Sequence, residues 1–261
     1  MGLLKNVYVK TALDVVWYLV VFVLLQAVFL QLAMYAGGYA GMERGVSVAV
    51  GTALSGIATI WLFAWRGWSP YSRTYISRRP WLTLVWIVLL SLGSVLPSEW
   101  MLEAMGVEVP EEMAEMMELM MQTPWGYMAI GVLAPVAEEM VFRGAILRKL
   151  LGVLDNKWLA IFVSAVVFGA LHGNLPQFIH AALIGILLGW MYAKTDSIVP
   201  GIVFHWVNNT VAFVLYHILP QADGKIADLF GGDTRTVYMA LGFSMCIFIP
   251  SLIQTAVRLK K

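Results

Sequence analysis

The feature that most constrains this chain is a succession of apolar runs, each near the twenty residues needed to cross about 30 Å of hydrocarbon. Eight are predicted, at 13–35, 46–65, 81–98, 125–148, 157–172, 176–194, 198–218 and 236–257. A backbone immersed in lipid has to satisfy its own hydrogen bonds, so such runs fold as helices. Composition agrees: of 261 residues 60% are hydrophobic and 13% charged, against about 25% charged in a soluble domain. The expected fold is therefore all-α, a polytopic membrane protein of about eight transmembrane helices in one domain, 1–261. Within it, 1–124 holds three spans and a loop helix, 125–218 a four-helix core, and 219–261 an outer loop and the last span. The fifth run is short for a full crossing. The connections around Gly173-Asn174-Leu175-Pro176 and Thr195-Asp196-Ser197 are brief enough to make their helices antiparallel neighbours.

Basic residues in the loops set the expected orientation. With the N-terminus inside, one side collects Lys5, Lys10, Arg66, Arg73, Arg78, Arg79, Arg148, Lys149, Lys157, Lys194, Arg258, Lys260 and Lys261. The other side has Arg44, Lys225 and Arg235. That asymmetry stays in phase through all eight runs and predicts an N-in, C-in topology. The first run is longer than a signal-peptide apolar region and lacks a small-residue cleavage pattern, so it reads as a span. Cys246 is the single cysteine, which excludes an intramolecular disulfide. A net charge of +1 gives no electrostatic footprint for nucleic acid.

The loop from Pro97 to Pro124 is acidic. Met113, Met116, Met117, Met120 and Met121 recur there at helical spacing, opposite Glu111, Glu112, Glu115 and Glu118. The pattern predicts an amphipathic helix lying at the membrane interface. It reads either as a linker or as an adaptable methionine-lined flap over an entrance. Trp17, Trp61, Trp65, Trp68, Trp81 and Trp125 sit near span ends, where amphipathic rings prefer the interface.

Against this apolar background the run Glu138-Glu139-Met140-Val141-Phe142-Arg143 is conspicuous. Each charge costs about 2.5–3.5 kcal/mol at a span centre on insertion scales, which marks the run as functional. Glu139 and Arg143 are four apart and can pair on one helix face, while Glu138 points about 100° away. His172 follows Phe168 at the end of the fifth run, and His205 and Asn209 lie one turn apart in the seventh. At about 1.5 Å per residue, Glu138, His172, His205 and Asn209 lie roughly 15, 22, 10 and 16 Å from the inner ends of their helices. With tilt they can meet near mid-membrane. A carboxylate and an imidazole converging on one water make a general base. A second imidazole and a carboxamide can stabilise the oxyanion of a tetrahedral intermediate. Asn208, His180 and His217 read as packing or interface residues, and Asp14 as a carboxylate within reach of water at the inner boundary.

The ordered set EExxxR, FxxxH and HxxxN, on three membrane helices over roughly 125–218, resembles the CAAX protease and bacteriocin-processing family of intramembrane endopeptidases. That resemblance implies a glutamate-dependent peptidase with no cofactor and no obligatory catalytic metal. By motif position it assigns Glu138 and His172 to water activation, His205 and Asn209 to the oxyanion hole, and Glu139 and Arg143 to support. It also implies a membrane-embedded or lipid-anchored protein or peptide substrate and, in a prokaryote, residence in the plasma membrane. Two alternatives stay open: a non-proteolytic scaffold or immunity protein of the same fold, and a zinc protease using Glu138, His172 and His205. No HExxH occurs in the chain.

Overall fold

A computed structural model describes residues 6–70, 72–106, 109–218 and 226–259. Lys5, Lys225, Lys260 and Lys261 of the loop-charge pattern lie outside them. The described chain is helical, without strands. Its elements are α1 Val7–Ala40, α2 Arg44–Trp65, the short α3 Arg73–Ser77, α4 Trp81–Ala104 and the methionine helix α5 Glu111–Met121. A continuous helical run over 124–151, here α6, follows. Then come α7 Lys157–Ala170, α8 Leu175–Thr195, α9 Val199–Ile218, the short α10 Ile226–Leu229 and α11 Thr234–Arg258.

Six of these, α1, α2, α4, α8, α9 and α11, are single α-helices long and apolar enough to cross a membrane. The chain is an integral multi-pass membrane protein. The two other expected spans take different forms. The run at 125–148 is one helical rod whose middle alternates between α and π geometry. The run at 157–172 is helical only over the 14 residues of α7, about 21 Å at helical rise.

Local signals fix most ends. Asn6, Asn156, Asn174 and Asp233 cap the N-termini of α1, α7, α8 and α11 with side-chain oxygens. Gly41 ends α1 in the left-handed conformation that suits glycine. Long faces of α1, α2 and α11 leave Leu24, Leu32, Trp61, Phe243 and Ile253 uncovered. Apolar surface of that extent is stable only against lipid.

The core is built around α6, which α1, α2, α7, α8 and α9 all contact. Every residue from Met140 to Leu147 is buried. Outside this core, α4 and α11 pair closely: a side chain at Gly93 would strike the backbone of Phe248, and Ser244 Oγ donates to Gly93 O at 2.9 Å. Small residues at such a crossing let backbones approach, which is what packs helices where lipid cancels the hydrophobic drive.

Several basic loops meet at one end of the bundle. Lys149 Nζ pairs with Asp14 at 2.7 Å, Arg148 Nη2 donates to Trp68 O at 2.7 Å, and Ile198 N donates to Ser72 Oγ at 3.2 Å. These contacts bring the start of α1 together with the loops near 67, 150 and 197. Tyr75 of α3 is buried beside them, and burial pushes its phenol up to about 12.

Candidate active site

Thr123 caps the start of α6, its Oγ1 accepting from Gly126 N at 3.0 Å, and Pro124 fills the first helical position. The rod then runs Pro124–Gly126 in α geometry, Tyr127–Leu133 in π, Ala134–Glu139 in α, Met140–Leu147 in π and Arg148–Leu151 in α. A proline inside a helix has no N–H, and its ring crowds the carbonyl four residues back. Pro135 would crowd Gly131, and the first π stretch ends just before it. Helices widen to π geometry preferentially at functional sites. Here the glutamates occupy the α-helical turn between two widened ones.

The two neighbours face different surroundings. Glu139 is fully buried, and its Oε1 accepts from Arg143 Nη1 at 2.7 Å. Arg143 is equally buried, donates from Nη2 to Gly185 O at 3.3 Å, and lays its guanidinium over the Phe168 ring at 4.5 Å. The ion pair is thus held by three helices, α6, α7 and α8. A fourth, α9, approaches at Gly201, where a Cβ would land on the Glu139 carboxylate. Glu138 retains 18% side-chain exposure and faces His205, with 3.7 Å between its Oε2 and His205 Nε2. That is too long for a direct hydrogen bond and leaves room for a third group.

His205 stands between the carboxylates, its other ring nitrogen 3.8 Å from Glu139 Oε1. His205 and His172 both set their rings edge-on to Phe168, at 5.9 and 5.1 Å between centroids. His172 Nδ1 lies 3.1 Å from Phe168 O. A carbonyl can only accept, so this contact places the proton on Nδ1 and leaves Nε2 of the neutral ring as a base. No contact within 4 Å joins Glu138 to His172 among the described residues. The turn after His172 is tied down by Asn174 Nδ2, which donates to His172 O at 3.2 Å and to Met113 Sδ of α5 at 3.4 Å. Asn209 Nδ2 donates to Ile130 O, in the first π stretch, at 3.0 Å.

Three buried polar atoms at this centre have no protein partner: Glu139 Oε2, Arg143 Nε and His205 Nδ1. Sequence reasoning set His180 aside, yet it lies within electrostatic reach of both His172 and His205. Gly201, Gly185 and Phe168 were not assigned site roles either. Their contributions are a missing Cβ, a carbonyl and a ring face, none of which has a charge signature in sequence. His217 sits at an exposed end of α9, bonded to Phe213 O. Among the described residues, no three His, Cys, Asp or Glu side chains are grouped to hold a metal ion.

One opening lies against the rod and another under the methionine helix. A groove of about 880 Å³ runs between α2, α6 and α9, walled by Trp61, Val136, Met140 and Ile202, with Ser72 and Arg73 at one end. A cavity of about 620 Å³ lies under α5, between α4 and α9, where Met113, Met117 and Met121 face Glu99, Gln177 and Asn208.

Residues 120–211 match the family model described as type II CAAX prenyl endopeptidase Rce1-like. Over that segment the chain is similar to CAAX prenyl endopeptidases. The matched segment contains every residue of the EExxxR, FxxxH and HxxxN set. Two curated proteins are also similar to the chain. A Bacillus subtilis (strain 168) protein named as a candidate membrane peptidase, YdiL, is 25% identical over 155 residues, covering 56% of this chain and 61% of its own length. The UPF0177 protein YxdF of Lactococcus lactis subsp. lactis (strain IL1403) is 27% identical over 77 residues, 29% of this chain and 41% of its own. The chain thus spans less than two thirds of either relative. No solved structure matches this chain.

Proposed function

We propose that the protein is an intramembrane endopeptidase that hydrolyses a peptide bond of a membrane-embedded or lipid-anchored protein or peptide by direct attack of water. The observation that carries this reading is that His172 and His205 both flank the ring of Phe168, with Glu138 3.7 Å from His205 Nε2. A structural ion pair needs only Glu139 and Arg143. Glu138, with His205 beside it, and His172 are surplus to that pair and costly in lipid.

Glu138 takes a proton from the attacking water as the new C–O bond forms at the scissile carbonyl carbon. His172, with Nε2 free to accept, holds that water from the opposite side. The carbonyl oxygen, gaining negative charge, is met by the N–H of His205 Nε2 and by the Asn209 N–H not spent on Ile130. Collapse of the tetrahedral intermediate breaks the C–N bond. Glu138 returns its proton to the departing amine, leaving a carboxylate and an amine as products. Glu139 serves His205 from the far side and keeps Arg143 neutralised. The N-in, C-in orientation puts the basic end of the bundle in the cytoplasm.

The test is cleavage of a membrane peptide by purified wild-type, Glu138→Ala and His172→Ala protein in lipid. Loss of cleavage in both variants, with folding intact, is expected. Wild-type rates in both would end the proposal, and an acyl-enzyme trapped from substrate would overturn the direct-water step.

A further inference from the structure

The carbonyl of Ile130 loses its π-register backbone donor because residue 135 is proline. In the first π stretch the hydrogen bonds run five residues back, and Ala134 N–H closes the stretch by donating to Ala129 O. The next donor in that register, the one that belongs to Ile130 O, is residue 135. It is proline and has no N–H. A buried carbonyl without a donor is costly, so an outside group is recruited. That group is Asn209 Nδ2 of α9, at 3.0 Å.

From this geometry we infer that Pro135 is a positioning residue for the reaction: by withholding an N–H from Ile130 O it reserves that carbonyl as the anchor of Asn209. The inference rests on the role given to Asn209 above and extends it. A free carboxamide has two single-bond rotations. One N–H fixed on Ile130 O sets the amide plane, and so aims the second N–H along a single direction. Oxyanion donors act through such prior alignment, since a donor that must reorient during the reaction stabilises little. The anchor lies two turns before Glu138 on the same rod, so base and oxyanion donor are referred to one element. Their separation is then set by the rod itself and not by the packing of α9 alone. A proline in mid-helix three residues before the glutamates is otherwise a defect.

The test restores the missing donor. Pro135→Val supplies an N–H at nearly constant volume, and Pro135→Ala supplies it with the ring volume removed. In either variant residue 135 can donate to Ile130 O and displace Asn209. Cleavage of a membrane peptide by the full-length protein in lipid is expected to show kcat lowered at least tenfold in both, with KM within a factor of about two, because only the transition state uses the aligned N–H. The thermal midpoint is expected to stay level or rise, since a helix-breaking residue has been removed. On an Asn209→Ala background the same substitutions are expected to change kcat less than threefold, because the group they misalign is gone.

Wild-type kcat in Pro135→Val would overturn the inference. So would a loss confined to Pro135→Ala, which would report volume alone, or effects at 135 and 209 that multiply independently. Should Pro135→Val not fold, Pro135→Ala compared with and without Asn209→Ala carries the test, since a volume effect would persist when Asn209 is gone. Full activity in Asn209→Ala would instead remove the oxyanion role beneath it, an outcome separate from any result at residue 135.

Discussion

The two faces of α6 at its glutamate pair make an instructive contrast. On the Glu139 face the carboxylate is fully buried, ion-paired at 2.7 Å, and backed by α8 and by the bare backbone of Gly201. On the Glu138 face the carboxylate keeps partial exposure and, among the described residues, makes no hydrogen bond, with an imidazole at 3.7 Å. Successive residues on one helix have been given opposite tasks. One charge is spent on holding helices together, and its neighbour is kept free. The cost of the first is what makes the second usable, because a rod pinned through Arg143 cannot rotate Glu138 away from His205.

The largest expected effect breaks the contrast from the open side. Glu138→Gln removes the base and should lower peptide cleavage by about 10²–10⁴-fold, the range general-base catalysis supplies. Its unfolding midpoint should be unchanged, because nothing buried is stranded. Side-by-side activity and chemical unfolding in detergent check both halves.

Breaking it from the closed side should reverse that pattern. Glu139→Leu leaves Arg143 buried without its counter-charge, at a cost of about 3–5 kcal/mol. Adding Arg143→Met should recover most of that stability without restoring activity. Recovery of activity as well would show that the pair does no more than fill space. An intermediate effect is expected at Gly201. A methyl there meets the Glu139 carboxylate and should destabilise by about 1–3 kcal/mol, as overpacking does. Loss of activity in Gly201→Ala should track the displacement of Glu139 and appear mainly in kcat. The smallest effect belongs to the rim. Asp14 and Lys149 are each about one-third exposed, so Asp14→Asn should cost no more than about 1 kcal/mol, and molar salt should erase the difference.

Apolar run length and loop charge were enough to read a multi-pass helical bundle from the sequence. The i, i+4 spacing likewise predicted the Glu139–Arg143 pair, which the structure contains. The spacing of His172, His205 and Asn209 marked three more polar residues, and depth arithmetic suggested that they could meet. What was not legible has a common cause. The π stretches, the Ile130 carbonyl, the Phe168 ring face and the absent Cβ of Gly201 are properties of backbone register and of close approach between distant segments. Periodicity carries no trace of them. One signal was available and unused: a proline at 135 inside an apolar helical run announces a carbonyl in need of an outside donor. The electrostatic neighbours of His180, His172 and His205, come from outside its own helix, so its spacing could not announce them.

The brevity of α7 has a consequence for the lipid around the protein. Its 14 residues fall about 9 Å short of a typical hydrocarbon thickness, so a crossing through α7 brings the polar turn from His172 to Asn174 within the depth of the bilayer. Irregular backbone at that depth is tolerated only under protein cover or beside water. The cover is α5, whose Met113 sulfur rests on Asn174. Protein and bilayer are thus mismatched on one side of the molecule by construction. The local leaflet has to thin or tilt to meet a flexible methionine cap. Membrane thickness then becomes a quantity the site can feel: a thicker bilayer presses the cap down, and a thinner one lets water in.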